Sequence, residues 1–262
     1  MSGAIPPDVT LALASFAERK TILIALDFDG TLAPLGDDPE QSRMIDSARE
    51  ALEKLTHMKG VAVALVTGRA IDSVKRVADP LPEWFLVGSH GIEVLSPGEF
   101  ASYDTPWLVP EGLARDFEEV IDQHPGTRLE RKPFGLALHT RGVDPTIAAQ
   151  AESAAHQVCE SWDGDFVVRT GHGIVECSIN EATKGDGIRD IRERFEPDAV
   201  LFAGDDRTDE DGFAVLGERD IAIRVGGGET SAPYRLEDAR AVGEALWHIV
   251  RARESGKVAS AL

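Results

Sequence analysis

The stretch ILIALDFDGTL, residues 22–32, decides how the rest of the chain is read. Five apolar residues, Ile22 to Leu26, run into two carboxylates set one residue apart, Asp27 and Asp29, and then into Gly30 and Thr31. The apolar run reads as a buried strand. Carboxylates at its end are costly to desolvate unless a cation compensates them. An EF-hand loop does not fit, because Thr31 and Leu32 stand where an acid or amide and a glycine are needed. Such a pair suits phosphoryl transfer instead. One carboxylate, kept unprotonated by a divalent cation, attacks phosphorus, and the other gives a proton to the leaving oxygen and then takes one from water.

Outward from this stretch the same pattern recurs. Val61–Val66, Phe85–Val87, Ala199–Phe202 and Ile221–Val225 read as further buried strands. Ile45, Ala48, Leu52 and Leu55 fall at helical spacing between the first two, and Gly185–Arg194 and Glu210–Leu216 are later helix candidates. The alternation predicts an α/β fold, a parallel sheet with helices on both faces. Ligands of such sheets sit at the carboxyl ends of the strands, where Asp27, Thr67, Gly88 and Gly204 should converge. The middle of the chain differs. Leu113, Phe117, Val120 and Ile121 mark a helix, followed by strand candidates Leu129–Lys132 and Gly135–Arg141 around a Pro133-Phe134-Gly135 turn. A helix over Thr146–Ser161 then leads to strands Phe166–Thr170 and Ile174–Ile179, separated by Gly171-His172-Gly173. This reads as an inserted α+β module of roughly 70 residues. Gly226-Gly227-Gly228 fits a loop after the last core strand, without a nucleotide pattern around it. The tail after Ser255 is expected to fray.

The 262 residues carry 46 Asp and Glu against 27 Lys and Arg, a formal charge of −19. Such a surface repels nucleic acid and anionic membranes, so no nucleic-acid and no membrane partner is expected. An anionic substrate would have to be drawn by a few local cations. Cys159 and Cys177 belong to no paired metal or redox motif and read as free thiols of a reducing compartment. The first twenty residues lack the pattern of a signal peptide, and no apolar run approaches membrane-span length. A cytoplasmic location is expected.

Gly204-Asp-Asp-Arg-Thr-Asp-Glu-Asp211 places five acids in seven positions after a strand, oxygen donors of the kind that suit Mg²⁺. Thr67-Gly68-Arg69, at the end of Val61–Val66, offers a hydroxyl and free N–H groups to phosphate oxygens, and Lys184 at a helix start offers a point charge. On the central strands, alternation puts Glu130 with Lys132 on one face and His139 with Arg141 beside Ala137, while Glu176 shares a face with Ile174. Two readings remain open for these residues: hydrogen bonding to sugar hydroxyls, or a solvated sheet face with cross-strand ion pairs.

In order along the chain, Asp-x-Asp-Gly-Thr, Thr-Gly-Arg, Lys and Gly-Asp-Asp-x-x-Asp resemble the haloacid dehalogenase superfamily of Mg²⁺-dependent phosphatases. Glu130-x-Lys132, His139-x-Arg141, Gly88-Ser-His-Gly91 and Glu176 narrow the resemblance to the trehalose-6-phosphate phosphatases, over about Leu23 to Leu246. The resemblance implies a Rossmann-like parallel-sheet core over 1–106 and 179–262 and an inserted α+β, C2-type cap over 107–178 that sets specificity. It makes Asp27 the nucleophile and Asp29 the general acid/base, with Thr67 and Lys184 holding phosphate. Mg²⁺ would be bound by Asp27, the backbone carbonyl of Asp29 and Asp205, with Asp206 and Asp209 supporting the metal or orienting Lys184. Glu130, Lys132 and Glu176 would bind sugar hydroxyls, with Arg69, His90, His139 and Arg141 lining the same cleft, and cap closure would exclude water.

The implied reaction hydrolyses trehalose 6-phosphate through an aspartyl-phosphate. The rivals are another sugar phosphatase, acting on sucrose 6-phosphate or mannosyl-3-phosphoglycerate, a phosphomutase, and a non-catalytic sugar-phosphate sensor or synthase partner. A free-standing monomer in loose association with trehalose-6-phosphate synthase is expected, since no synthase-sized segment precedes Leu23. Two departures from the family pattern stand out. Phe28 occupies a position often held by tyrosine, and Cys-Ser-Ile-Asn follows Glu176 where an arginine-proline pair is common.

Overall fold

Continuous burial along the apolar runs, with successive side chains pointing to opposite faces, turns the sequence pattern into a layered sheet. In the computed structural model, residues 5–36, 38–99, 108–132, 134–163, 166–171, 173–179 and 181–259 are described. Pro133, His172 and the expected boundary at 106/107 lie outside them. The chain divides into two compact units, Met1–Ala101 with Ala182–Leu262, and Ser102–Glu181.

The first unit begins with α1 (Pro7–Ala17), β1 (Ile22–Leu26), α2 (Asp46–Thr56), β2 (Val61–Val66), α3 (Ile71–Ala78), β3 (Phe85–Gly88) and β4 (Glu93–Leu95). The second holds α4 (Glu111–Gln123), β5 (Arg128–Lys132), β6 (Gly135–His139), α5 (Pro145–Ser161), β7 (Val167–Gly171) and β8 (Ile174–Ser178). The chain then returns to the first with α6 (Lys184–Phe195), β9 (Ala199–Gly204), α7 (Glu210–Phe213), β10 (Ile221–Val225), β11 (Tyr234–Leu236) and α8 (Ala239–Ala259).

The seven-stranded sheet of the first unit runs β11-β10-β9-β1-β2-β3-β4. β1 lies at its centre, Ile24 opposite both Val63 and Leu201 in parallel register. Ile22, Ile24 and Leu26 face a core built with Leu13, Leu52, Val74 and Ile249 from α1, α2, α3 and α8. Leu23 and Ala25 face Ile188, Ile191 and Phe213 from α6 and α7. Both faces of β1 are covered, which is why its five residues are all buried.

Three features depart from the sequence expectation. β4 pairs antiparallel with β3, so the sheet is mixed. β11 adds a strand beyond Gly226–Gly228, so that loop connects β10 to β11 and does not follow the last strand. The helix expected over Glu210–Leu216 begins at Glu210 as α7 but ends at Phe213, and a 3-10 turn, Arg207–Asp209, precedes it. Three residues per edge strand are too few for a periodic signal. α1, α3 and α8 were likewise not expected, and α8 continues past Ser255 to Ala259.

The four-stranded sheet of the second unit is antiparallel throughout, in the order β5-β6-β8-β7. Leu136, Leu138, Val175 and Cys177 on one face pack against Leu113 and Phe117 of α4 and Ala151, Ala155 and Cys159 of α5. Both cysteines are free and buried, and hydrogen bonding between the two thiols lowers the pKa of Cys159. Among the described residues no helix is long and apolar enough to cross a membrane.

Leu52 is fully buried in α2 against α8. Leu52→Ala should destabilise the first unit by about 2–5 kcal/mol, read as a lower urea midpoint; an unchanged midpoint would contradict this packing.

Candidate active site

The carboxyl ends of β1, β2, β3 and β9 bring the polar motifs of the first unit together. Asp27 continues β1 by donating its N–H to the Ala203 carbonyl at 2.9 Å, and it is 4% exposed. Lys184, 3% exposed, lies within hydrogen-bond reach of two carboxylates. Its Nζ is 2.8 Å from Asp27 Oδ1 and 2.7 Å from Asp209 Oδ1. A reciprocal cap fixes its position: the Asp186 carboxylate accepts the Thr183 N–H at 2.9 Å, and Thr183 Oγ1 accepts the Asp186 N–H at 3.3 Å. Lys184 is thus the first residue of α6, and its direction is set by the helix start.

The acidic loop after β9 packs tightly on its neighbours. A Cβ at Gly204 would lie 2.1 Å from Asp209 Cγ, and one at Gly30 2.0 Å from Asp205 Oδ2, with Gly30 already at φ +80°. Asp209 is fully buried. Its Oδ2 accepts the Asp206 N–H at 2.8 Å while Oδ1 takes Lys184, so both of its oxygens are engaged. Oxygens of Asp27, Asp205 and Asp209 lie within 4.8 Å of one another. Asp206 is not in this group; its side chain accepts the Asp209 N–H as a cap of the 3-10 turn.

Electrostatics follow from three buried carboxylates and one ammonium. Burial pushes the Asp27 carboxyl well above the usual carboxylate range, Lys184 opposing this and Asp209 and Asp205 adding to it. Asp205 is pushed up to about 6 by burial and by Asp209 and Asp206, against Lys184. Burial works against the charge on Lys184, yet Asp209 and Asp27 outweigh it and raise its pKa. Asp205 Oδ1 is buried and has no hydrogen-bond partner. An all-oxygen donor set, net negative, with one orphaned carboxylate oxygen, fits a hard divalent cation.

Asp29 is held differently. Arg69 grips it with both arms, Nε to Oδ2 at 2.6 Å and Nη2 to Oδ1 at 2.7 Å, and Ser42 Oγ donates to Oδ1 at 2.9 Å. The sequence reading placed Arg69 in a sugar cleft; in the structure its guanidinium is engaged by Asp29. Thr67, two residues before that arginine, is buried and accepts the Arg69 N–H on its Oγ1 at 3.1 Å. The ring of His90 lies against Gly68, where a Cβ would be 2.5 Å from Cε1. Ser89, His90 and Gly91 all have left-handed φ values of 48°, 57° and 113°. Glu93 holds this strained turn, its Oε2 accepting the Ser89 hydroxyl at 2.6 Å and the Ile71 N–H at 3.2 Å.

In the second unit, the sheet face opposite the helices is polar. Register places Glu130, Ala137, Glu176 and Arg169 in one row, with Lys132 and His139 on the same face. Lys132 and Glu176, 3% and 4% exposed, form an ion pair at 2.6 Å. His139 Nε2 is 2.9 Å from Glu130 Oε2. Burial would raise the Glu130 pKa, but the His139 hydrogen bond and the Lys132 charge outweigh it and hold it low. Arg141 is the correction. β6 ends at His139, and Arg141 lies in the turn beyond it, outside the alternation expected to carry it.

Ser42, Glu93, Arg169 and Arg224 escaped the sequence reading. Arg224, buried in β10, donates to the Asp206 carbonyl at 2.8 Å and the Gly227 carbonyl at 3.2 Å, tying the acidic loop to the glycine loop. Alternation on Val167–Gly171 could have found Arg169; Ser42 meets Asp29, Glu93 the Ile71 N–H and Arg224 the Asp206 carbonyl, each across 13 or more positions.

Replacing Lys184 by Met should cost about 3–5 kcal/mol of stability, because it leaves Asp27 and Asp209 buried without their ammonium. Urea unfolding would measure this, and a wild-type midpoint would contradict it.

A sequence model of the family described as trehalose-phosphatase matches residues 25–239. A bifunctional trehalose-6-phosphate synthase/phosphatase of Thermoproteus tenax is 32% identical over 237 residues, spanning 87% of this chain but only 32% of that protein. A trehalose-6-phosphate phosphatase of Escherichia coli (strain K12) is 31% identical over 214 residues, 80% of this chain and 79% of that protein. Among solved structures, the C-terminal domain of a C. albicans trehalose-6-phosphate phosphatase superposes with a TM-score of 0.82, covering 96% of this chain and 99% of that one at 23% identity. That likeness speaks to the fold.

Proposed function

The chain belongs to the trehalose-phosphatase family, and on that premise we propose that it removes the 6-phosphate of trehalose 6-phosphate in a Mg²⁺-dependent reaction. The observation that carries this reading is the meeting of Asp27, Lys184, Asp209 and the orphaned oxygen of Asp205 at the end of the central strand. Asp27 and Asp205 would hold the ion with the Asp29 carbonyl. Mg²⁺ when bound supplies positive charge that keeps Asp27 ionised and offsets charge on the phosphoryl oxygens. Asp209, with both oxygens engaged, orients Lys184.

The chain's own residues then account for two half-reactions. Asp27 attacks phosphorus, an oxygen–phosphorus bond forms to its carboxylate, and the ester bond to the sugar breaks. Asp29 gives the leaving sugar oxygen its proton. Water next attacks the phosphorus of the aspartyl-phosphate, Asp29 takes the water's proton, and phosphate leaves with Asp27 restored. Lys184 and the Thr67 hydroxyl hold the phosphoryl oxygens in line. His90, seated by its strained turn against Gly68, lines the same strand ends.

Recognition of the sugar is assigned to the polar sheet face of the second unit. Glu130, Lys132 and Glu176 are proposed to hydrogen-bond hydroxyls, His139 orients Glu130, and Arg141 contributes from its turn. The Lys132–Glu176 ion pair and the His139–Glu130 hydrogen bond fix these groups before substrate arrives. A relative that joins synthase and phosphatase in one chain supports a trehalose-6-phosphate synthase as a partner.

Phosphate release from trehalose 6-phosphate should require Mg²⁺, stop with excess EDTA and return when Mg²⁺ is restored. Sucrose 6-phosphate and mannosyl-3-phosphoglycerate should turn over more slowly; equal or faster release from either would overturn the substrate assignment. Asp27→Asn should lower turnover by at least about 10³-fold with the fold intact, and retained activity would refute the nucleophile.

A further inference from the structure

We propose that Arg69 is a positioning residue for Asp29 and not a contact to the sugar, with Ser42 completing the seat. The inference rests on the phosphatase reading above and deepens it at the same site. A guanidinium presents a rigid planar fork that matches a carboxylate, and Arg69 uses it in full, with two parallel bonds of 2.6 and 2.7 Å to Asp29. Its remaining contacts anchor the fork. Nη2 also donates to the Pro39 carbonyl at 2.8 Å and approaches Ser42 Oγ at 3.2 Å, and Nη1 reaches Ser73 Oγ at 3.3 Å. Every guanidinium nitrogen therefore has a protein partner. The Nε–H and both Nη2–H groups, the edge turned to Asp29, are taken by protein acceptors, so a sugar hydroxyl could reach that edge only by displacing a charge-assisted bond, a poor exchange for a neutral acceptor.

Three separate segments meet at this seat. Asp29 comes from the loop after β1 and Arg69 from the loop after β2. Ser42 follows the 3-10 turn Pro39–Gln41, whose start Asp38 caps by accepting the Glu40 N–H at 3.0 Å. Ser42 is buried, and its N–H returns to the Pro39 carbonyl at 3.3 Å. The guanidinium carbon sits 5.8 Å from the centre of the Phe28 ring, which is fully buried between the two aspartates in sequence. The arrangement restrains one carboxylate in orientation, which is what proton transfer at a fixed leaving oxygen demands. Thr-Gly-Arg thus serves two ends at once, its threonine toward phosphate and its arginine toward the acid/base.

The test compares Arg69→Ala, Arg69→Lys and Ser42→Ala on trehalose 6-phosphate and on phenyl phosphate, which has no sugar, with Mg²⁺ saturating. Arg69→Ala should lower kcat about 10²-fold on both substrates, leaving KM for trehalose 6-phosphate within about threefold. Arg69→Lys should recover only part of the loss, because an ammonium cannot fork. Ser42→Ala, which removes a single bond and serves if Arg69→Ala does not fold, should lower kcat about three- to tenfold on both, with KM unchanged. A raised KM for trehalose 6-phosphate with normal turnover of phenyl phosphate would overturn the proposal and make Arg69 a sugar contact. Wild type that hydrolyses phenyl phosphate but not trehalose 6-phosphate would instead overturn the substrate assignment, while the phenyl phosphate arm still decides the role of Arg69.

Discussion

One ammonium shared between two buried carboxylates, with a third beside it, is the constraint on which the first unit depends. Lys184 bridges Asp27 and Asp209 at 2.8 and 2.7 Å. Removing ions from water costs several kcal/mol each even after relaxation, and only close pairing recovers it. One lysine cannot balance Asp27, Asp209 and Asp205 together. The raised pKa of Asp27 and of Asp205, at about 6, expresses that imbalance as an affinity for positive charge. In a chain of net charge −19, this local deficit lets a cation and a phosphate meet where the surface as a whole would repel the phosphate.

The backbone around the cluster is shaped by the same demand. Gly30 and Gly204 leave no room for a side chain because Asp205 and Asp209 occupy the space a Cβ would take. Arg224 and Glu93 hold the two irregular segments, the acidic loop and the left-handed Ser89–Gly91 turn, from β10 and β4. Strain at such a site persists only when surrounding bonds over-determine it, and here each segment has them. The parallel strands supply the remaining order: their carboxyl ends lie side by side, so residues far apart in sequence share one edge.

Much of this was legible in the amino-acid order. β1, β2, β3, β9 and β10 announce themselves as apolar runs because both faces of the sheet are covered. The ordered motifs locate the polar strand ends without any structure. Short edge strands such as β4 and β11 carry no such signature, and a three-residue run cannot display a period. Arg141 shows the limit of alternation: the expected strand is two residues too long, and β6 ends at His139 before Arg141 is reached. Partners were the least legible. Nothing local says that Lys184 seeks Asp27 across 157 positions, or that Arg69 spends its fork on Asp29 across 40. Those pairings belong to tertiary structure, where the strand order decides who meets whom.

Phosphoryl transfer at this site depends on the carboxylate cluster taking up a cation. Isothermal titration of metal-stripped protein with Mg²⁺ addresses this without substrate. The wild type should show a single saturable site that is lost in Asp205→Asn, whose unfolding transition should remain cooperative. Absence of saturable binding in the wild type, or undiminished binding in Asp205→Asn, would contradict cation uptake by the cluster.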